Sequence, residues 1–127
     1  MRIIDTELIR AKVKELCLEL AYKMSDDLKA SLERGRSQEC TYLGRQVLSM
    51  LLENGERAEE QQIPLCQDTG MVFVYLELGQ DVHLEGPFVG DAVNQGVREA
   101  YEEGYLRKSM VDPITRANTK ANLCQAL

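Results

Sequence analysis

The sequence predicts a mainly helical α+β fold, with three to four helices packed around a short strand region. Three observations predict it. Apolar residues recur at three- and four-residue steps through most of the first 60 positions, which is the period of an amphipathic helix. One run, Met71-Val72-Phe73-Val74-Tyr75-Leu76, is dense in β-branched and aromatic residues. A further helical stripe begins after Gly86-Pro87. With 127 residues, 44% hydrophobic and 28% charged, the chain has the size and composition of one globular domain, and 1–127 is read as a single domain.

The first helix rests on Ile9, Val13, Leu16, Leu20 and Met24, which form one stripe, with Asp5 or Thr6 as its cap. Cys17 borders that stripe and is read as core packing. Ser25 opens a second, shorter helix, because Asp26 and Asp27 favour the positive end of a helix dipole. Leu28 and Leu32 are its apolar face and Gly35 its stop. A third helix is expected from Ser37 to about Glu60, with Leu43, Val47, Met50, Leu51 and Ala58 facing inward and its glutamates solvated. These three helices read as scaffold.

The strand follows. Val72, Val74, Leu76 and Leu78 share one face, and Met71, Phe73 and Tyr75 the other, so burial on both sides is expected of its first half. Val82-His83-Leu84 is a short extended piece, in which His83 suits a surface or hydrogen-bonded structural position. The fourth helix runs from Phe88 or Asp91 to Tyr105, with Val93, Val97, Ala100 and Tyr101 inward. Gly96 and Gly104 each weaken it by about 1 kcal/mol relative to Ala, which points to close packing or a helix end. Val111-Asp112-Pro113 breaks helix, and Ile114 to Asn118 is loop-like.

Charge and cysteine usage narrow the function. A net charge of −6, with no block of lysine and arginine, argues against nucleic acid as a partner, because binding would have to overcome repulsion from the phosphates. No apolar run approaches the ~20 residues of a membrane span, and the N-terminus has no signal-like apolar stretch. The chain is read as cytoplasmic with reduced thiols. Cys17, Cys40, Cys66 and Cys124 form no Cys-x-x-Cys pair, so neither a zinc ribbon nor a thioredoxin-like motif is indicated.

The candidate site is Ile63-Pro64-Leu65-Cys66-Gln67-Asp68-Thr69-Gly70. It sets a thiol, an amide, a carboxylic acid and a hydroxyl in consecutive positions between a helix and a strand. Pro64 stiffens the entry and Gly70 allows a sharp exit. The plain alternative is a turn, since Gln, Asp, Thr and Gly are ordinary turn residues and a lone Cys commonly packs as a small hydrophobe. Beyond the fourth helix, Leu106-Arg107-Lys108-Ser109 is a small cationic group. It suits a helix C-terminus, and Arg107 equally suits a carboxylate clamp through its planar fork.

Three strings taken in order resemble the α-type catalytic region of class I, iron–sulfur-dependent fumarate hydratases and the related L-tartrate dehydratases. They are Ile63 to Gly70, Ala92-Val93-Asn94-Gln95-Gly96-Val97-Arg98, and Tyr101-Glu102-Glu103-Gly104-Tyr105-Leu106-Arg107-Lys108-Ser109; the third is closer to the fumarase branch. The resemblance implies the N-terminal part of an Fe–S hydro-lyase catalytic domain, catalysing reversible hydration of fumarate to L-malate in the tricarboxylic acid cycle. It implies a 4Fe–4S cluster held by three cysteines, with one iron open as a Lewis acid, and Cys66 as the first ligand. It places Gln67 and Asp68 in the substrate pocket, with Asp68 the catalytic proton-exchanging group, and Arg107 on the far carboxylate of a dicarboxylate substrate.

The resemblance also implies partners: the remaining catalytic segment, a β-type subunit, or both, in an oligomer. After Asn118-Thr119 the sequence departs from the family pattern. The other two cluster cysteines are therefore expected outside this chain, which alone is expected to be incomplete and inactive. A non-catalytic remnant, or a module that binds a subunit, is the alternative of another class.

Overall fold

The computed structural model describes residues 1–65 and 71–118. Their element order is β1 (Arg2–Asp5), α1 (Thr6–Tyr22), α2 (Asp26–Gln38), α3 (Tyr42–Gln61), β2 (Val82–Glu85) and α4 (Val89–Glu103). The mainly helical α+β expectation is borne out, with four helices and one two-stranded sheet among the described residues. These residues form two units, 1–18 with 71–118 and 19–65, and the division falls inside α1. No described helix is long and apolar enough to cross a membrane.

The first unit is organised by a parallel pair. β1 and β2 match Arg2 to Val82, Ile3 to His83, Ile4 to Leu84 and Asp5 to Glu85. β1 corrects the sequence reading, which took Asp5 only as a helix cap. Asp5 does both, because its side chain accepts a hydrogen bond from the Glu7 N–H at 2.8 Å and so opens α1. The next residue, Thr6, is buried and donates its hydroxyl to the Pro87 carbonyl at 2.9 Å. Gly86 sits against this corner with φ of 107°, a backbone state that glycine tolerates. A Cβ there would lie 2.8 Å from the Thr6 hydroxyl oxygen. His83 is exposed, as expected of a surface histidine.

α4 closes this unit on α1. Ala92, Gly96, Val97 and Ala100 are buried, with Val97 and Ala100 at 0% exposure. Gly96 explains the spacing, since a Cβ on it would fall 2.5 Å from the Arg10 carbonyl oxygen and 3.2 Å from the Val13 Cβ. The backbones meet because the side chain is absent. Two ion pairs one turn apart flank the contact: Arg10 Nη1 to Glu99 at 2.6 Å, and Lys14 to Glu103. Val93 and Tyr101 are only half-buried, so the inward face is rotated towards the smaller residues relative to the expected stripe.

In the second unit, α3 begins at Tyr42, not Ser37. Thr41 caps it by accepting the Gly44 N–H at 3.1 Å. α2 continues past Gly35 to Gln38, so Gly35 is a helix-interior residue. The buried face of α3 is Leu52, Gly55 and Ala58, with Leu48 half-buried. Ala58 is there as expected, but the rest of the expected face is corrected, because Leu43 is 73% exposed and Val47, Met50 and Leu51 are exposed with it. On α1, Val13 is buried as expected, but Leu16 and Leu20 are exposed. Cys17 is half-buried, and that burial pushes its thiol up, as suits a packing residue.

Residues 71–79 form no strand in the structure. The burial on both faces expected of the first half of this run is not seen: Tyr75 is 94% exposed and Phe73 70%. The run has the composition of a strand but no sheet neighbour among the described residues.

Candidate functional site

Two segments were singled out by sequence, and the two helices before them end in the same way. Each ends with a hydrogen bond from an N–H to the carbonyl five residues back, around a non-glycine residue in the left-handed region. At the end of α3, Gln62 has φ of 52° and the Ile63 N–H bonds the Ala58 carbonyl at 3.1 Å. At the end of α4, Tyr105 has φ of 52° and the Leu106 N–H bonds the Tyr101 carbonyl at 3.1 Å. This arrangement satisfies orphan carbonyls and turns the chain off the helix axis at a set angle. The left-handed residue at the second stop is Tyr105. Gly104, which the sequence marks as a candidate helix end, keeps φ at −82°.

The first turn leads into Ile63-Pro64-Leu65. The Leu65 N–H donates to the Ala21 carbonyl at 2.8 Å, so the segment is pinned to the end of α1 one residue before Cys66. Cys66, Gln67 and Asp68, the predicted cluster ligand and pocket residues, lie outside the described residues, as does Cys124.

The second turn leads to Arg107. Leu106 is buried and anchors the segment, and Arg107 follows it with an exposed side chain. Lys108 is held near Glu102 at 3.7 Å. The chain then makes an ordered hairpin where the sequence suggested only a loop. Val111 bridges Asn118 in antiparallel fashion, and the Asn118 amide donates to the Lys108 carbonyl at 2.8 Å. Asp112 organises the bend by accepting the Thr115 N–H at 2.6 Å, the Thr115 hydroxyl at 2.9 Å and the Ile114 N–H at 3.0 Å. These bonds favour the ionised carboxylate, the Thr115 N–H most, and hold its pKa below the usual range. At the tip, Arg116 has φ of 61° and is exposed. It is the second exposed guanidinium of this segment, after Arg107, and the sequence analysis does not mark it. The available signal was Asp112 followed by Pro113 and Thr115, an Asx-type turn signature.

The Ala92 to Arg98 string divides by face. Ala92, Gly96 and Val97 pack inward, while Asn94, Gln95 and Arg98 line an open groove of about 360 Å³ beside Arg10. Arg10 is already engaged by Glu7 at 2.7 Å and Glu99 at 2.6 Å, and both carboxylates raise its pKa. Gln95 donates to Glu99 at 3.0 Å and, with Arg10, lowers the pKa of that carboxyl. The groove is thus a charge-balanced flank of the α1–α4 contact, with Glu7 and Asp91 beside its arginines.

A cluster bound by three cysteines does not fit the described residues. Cys17 is half-buried, Cys40 is exposed with its Sγ 3.7 Å from the Gln38 carbonyl, and no described group of His, Cys, Asp or Glu is arranged to hold a metal.

Comparison with known proteins gives a consistent picture. The family profile described as Fumarate hydratase (Fumerase) matches residues 10–125. A Methanocaldococcus jannaschii protein that carries the name of an L(+)-tartrate dehydratase α subunit is 38% identical over 112 residues, covering 87% of this chain and 39% of that protein. The L(+)-tartrate dehydratase subunit alpha of Escherichia coli K12 is 26% identical over 103 residues, covering 81% of this chain and 34% of that protein. The matched stretch thus spans well under half the length of either relative.

Proposed function

Because the chain belongs to the fumarate hydratase (Fumerase) family, we propose that it forms the N-terminal part of a hydro-lyase adding water reversibly to fumarate to give L-malate. The observation that carries the reading is the match over residues 10–125, which takes in both the Cys66-Gln67-Asp68 string and the Arg107 segment. The two named relatives support a second substrate, L(+)-tartrate, in the same chemistry, and their names as α subunits support a further subunit as partner.

On this reading Arg107 binds the carboxylate of the dicarboxylate farther from the reacting carbons, through two parallel N–H···O bonds. Gln67 orients the substrate. Asp68 hydrogen-bonds the hydroxyl that is gained or lost and exchanges a proton with it. The turn at Tyr105 and the buried Leu106 hold the segment that carries Arg107. Cys66 supplies one thiolate of a 4Fe–4S cluster, and two more come from polypeptide outside this chain. In the isolated chain such a ligand set is incomplete, and it is inactive.

The test is to combine this chain with the remaining α-type polypeptide and a β-type partner, reconstitute iron and sulfide without oxygen, and assay fumarate and L(+)-tartrate in parallel. Turnover of either substrate only by the combination supports the proposal and names the substrate. No turnover by a folded, iron-loaded combination would replace it with a remnant that binds a subunit.

A further inference from the structure

Residues 71–78, Met-Val-Phe-Val-Tyr-Leu-Glu-Leu, have the character of an interior strand and the surroundings of none. Their backbone makes no hydrogen bond with any described residue. Phe73, Val74, Tyr75, Leu76 and Leu78 are all exposed, and in an extended strand they would alternate between two faces. Water satisfies bare backbone groups, but it does not account for apolar side chains on both faces. That pattern belongs to strands covered above and below. The run also enters β2 directly, through a turn in which the Val82 N–H bonds the Gly79 carbonyl at 3.0 Å. It therefore lies next to β2 in sequence, across that turn.

We propose that residues 71–78 are a docking strand, and that its occupant is an extended segment from the part of the α-type polypeptide lying outside the matched region. Two arguments select this occupant over a second copy of the chain. The match covers 39% and 34% of the two relatives, so about three fifths or more of their residues have no counterpart in it. A second copy pairing edge to edge would satisfy the ladder but leave both faces of a two-stranded ribbon in water, and such ribbons are marginal alone. A large polypeptide supplies both the neighbouring strand and the layers that cover Phe73 and Val74. The inference rests on the family assignment and not on the proposed chemistry.

Hydrogen exchange read by mass spectrometry tests it, in metal-free buffer so that cluster assembly plays no part. The chain is measured alone at two concentrations, and mixed with the unmatched portion of the Methanocaldococcus jannaschii relative. In the mixture the two polypeptides co-elute and the amides of 71–78 slow by about tenfold or more, while alone they exchange freely at both concentrations. Tyr75→Pro removes the protection and the co-elution with little cost to the isolated chain, where that N–H has no partner among the described residues, whereas Tyr75→Thr keeps both. Protection that rises with concentration in the chain alone would show self-pairing and overturn the proposal. So would a mixture that fails to co-elute, or one that co-elutes with 71–78 still exchanging freely.

Discussion

Tyr105 and Gln62 carry side chains in a backbone region that glycine occupies freely, at a cost of about 1–3 kcal/mol each. Tyr105 is 92% exposed, so its side chain returns little of that cost by packing. Tyr105→Gly is expected to raise stability by up to about 1 kcal/mol, and Tyr105→Val to lower it by at least as much, since a β-branched side chain fits that region worst. Urea midpoints of the two variants check this; equal midpoints would contradict it. Gly96 and Gly55 make a second pair. Ala at 96 meets the Arg10 backbone carbonyl, whereas Ala at 55 meets the flexible end of Met24 at 2.9 Å. Gly96→Ala should destabilise by about 1–3 kcal/mol despite better helix propensity, and Gly55→Ala should be near neutral.

At the scale of elements, the α1–α4 contact combines a backbone approach with an ion-pair ladder, and Glu99 makes it sensitive to pH. Gln95 and Arg10 hold the Glu99 pKa below the usual glutamate range. A depressed carboxyl contributes stability that is present above its unfolded value and lost as pH falls through its folded value. The stability gap between the native chain and Glu99→Gln should therefore be widest near neutral pH and shrink in acid below the usual glutamate range. Urea midpoints across that window check it, and a gap independent of pH would count against the role of Glu99.

The legibility of the elements in the sequence follows the same physics. α4 was readable because its apolar stripe is single. α3 is only partly legible because it carries two stripes: Ala58 is buried as expected, but the large residues Leu43, Val47, Met50 and Leu51 are exposed, while Leu52 and the small Gly55 join Ala58 in the contact. Periodicity finds a stripe but not which of two a neighbour covers. β1 was missed because four residues give almost no period, and its partner β2 lies some 80 positions away.

For the whole molecule, the site was legible as strings and not as geometry. Sequence marks Cys66, Gln67, Asp68 and Arg107 by their order and company, and the structure adds how Arg107 is launched from a buried Leu106 and how Leu65 is tied to Ala21. Arg116 is legible only through the Asp112-Pro113-Thr115 turn signature, because its prominence comes from the turn beneath it. The exposed 71–78 run belongs to this scale too, since a strand pattern states a need for neighbours that local sequence cannot name.

The central claim, that this chain contributes working groups to a family hydro-lyase, is tested most directly by one comparison in the reconstituted combination: iron bound per chain and hydration rate for the native sequence beside Cys66→Ser. The account predicts that the variant, still folded and still associated, loses cluster iron and hydration together. Full iron content and undiminished hydration in Cys66→Ser would contradict it.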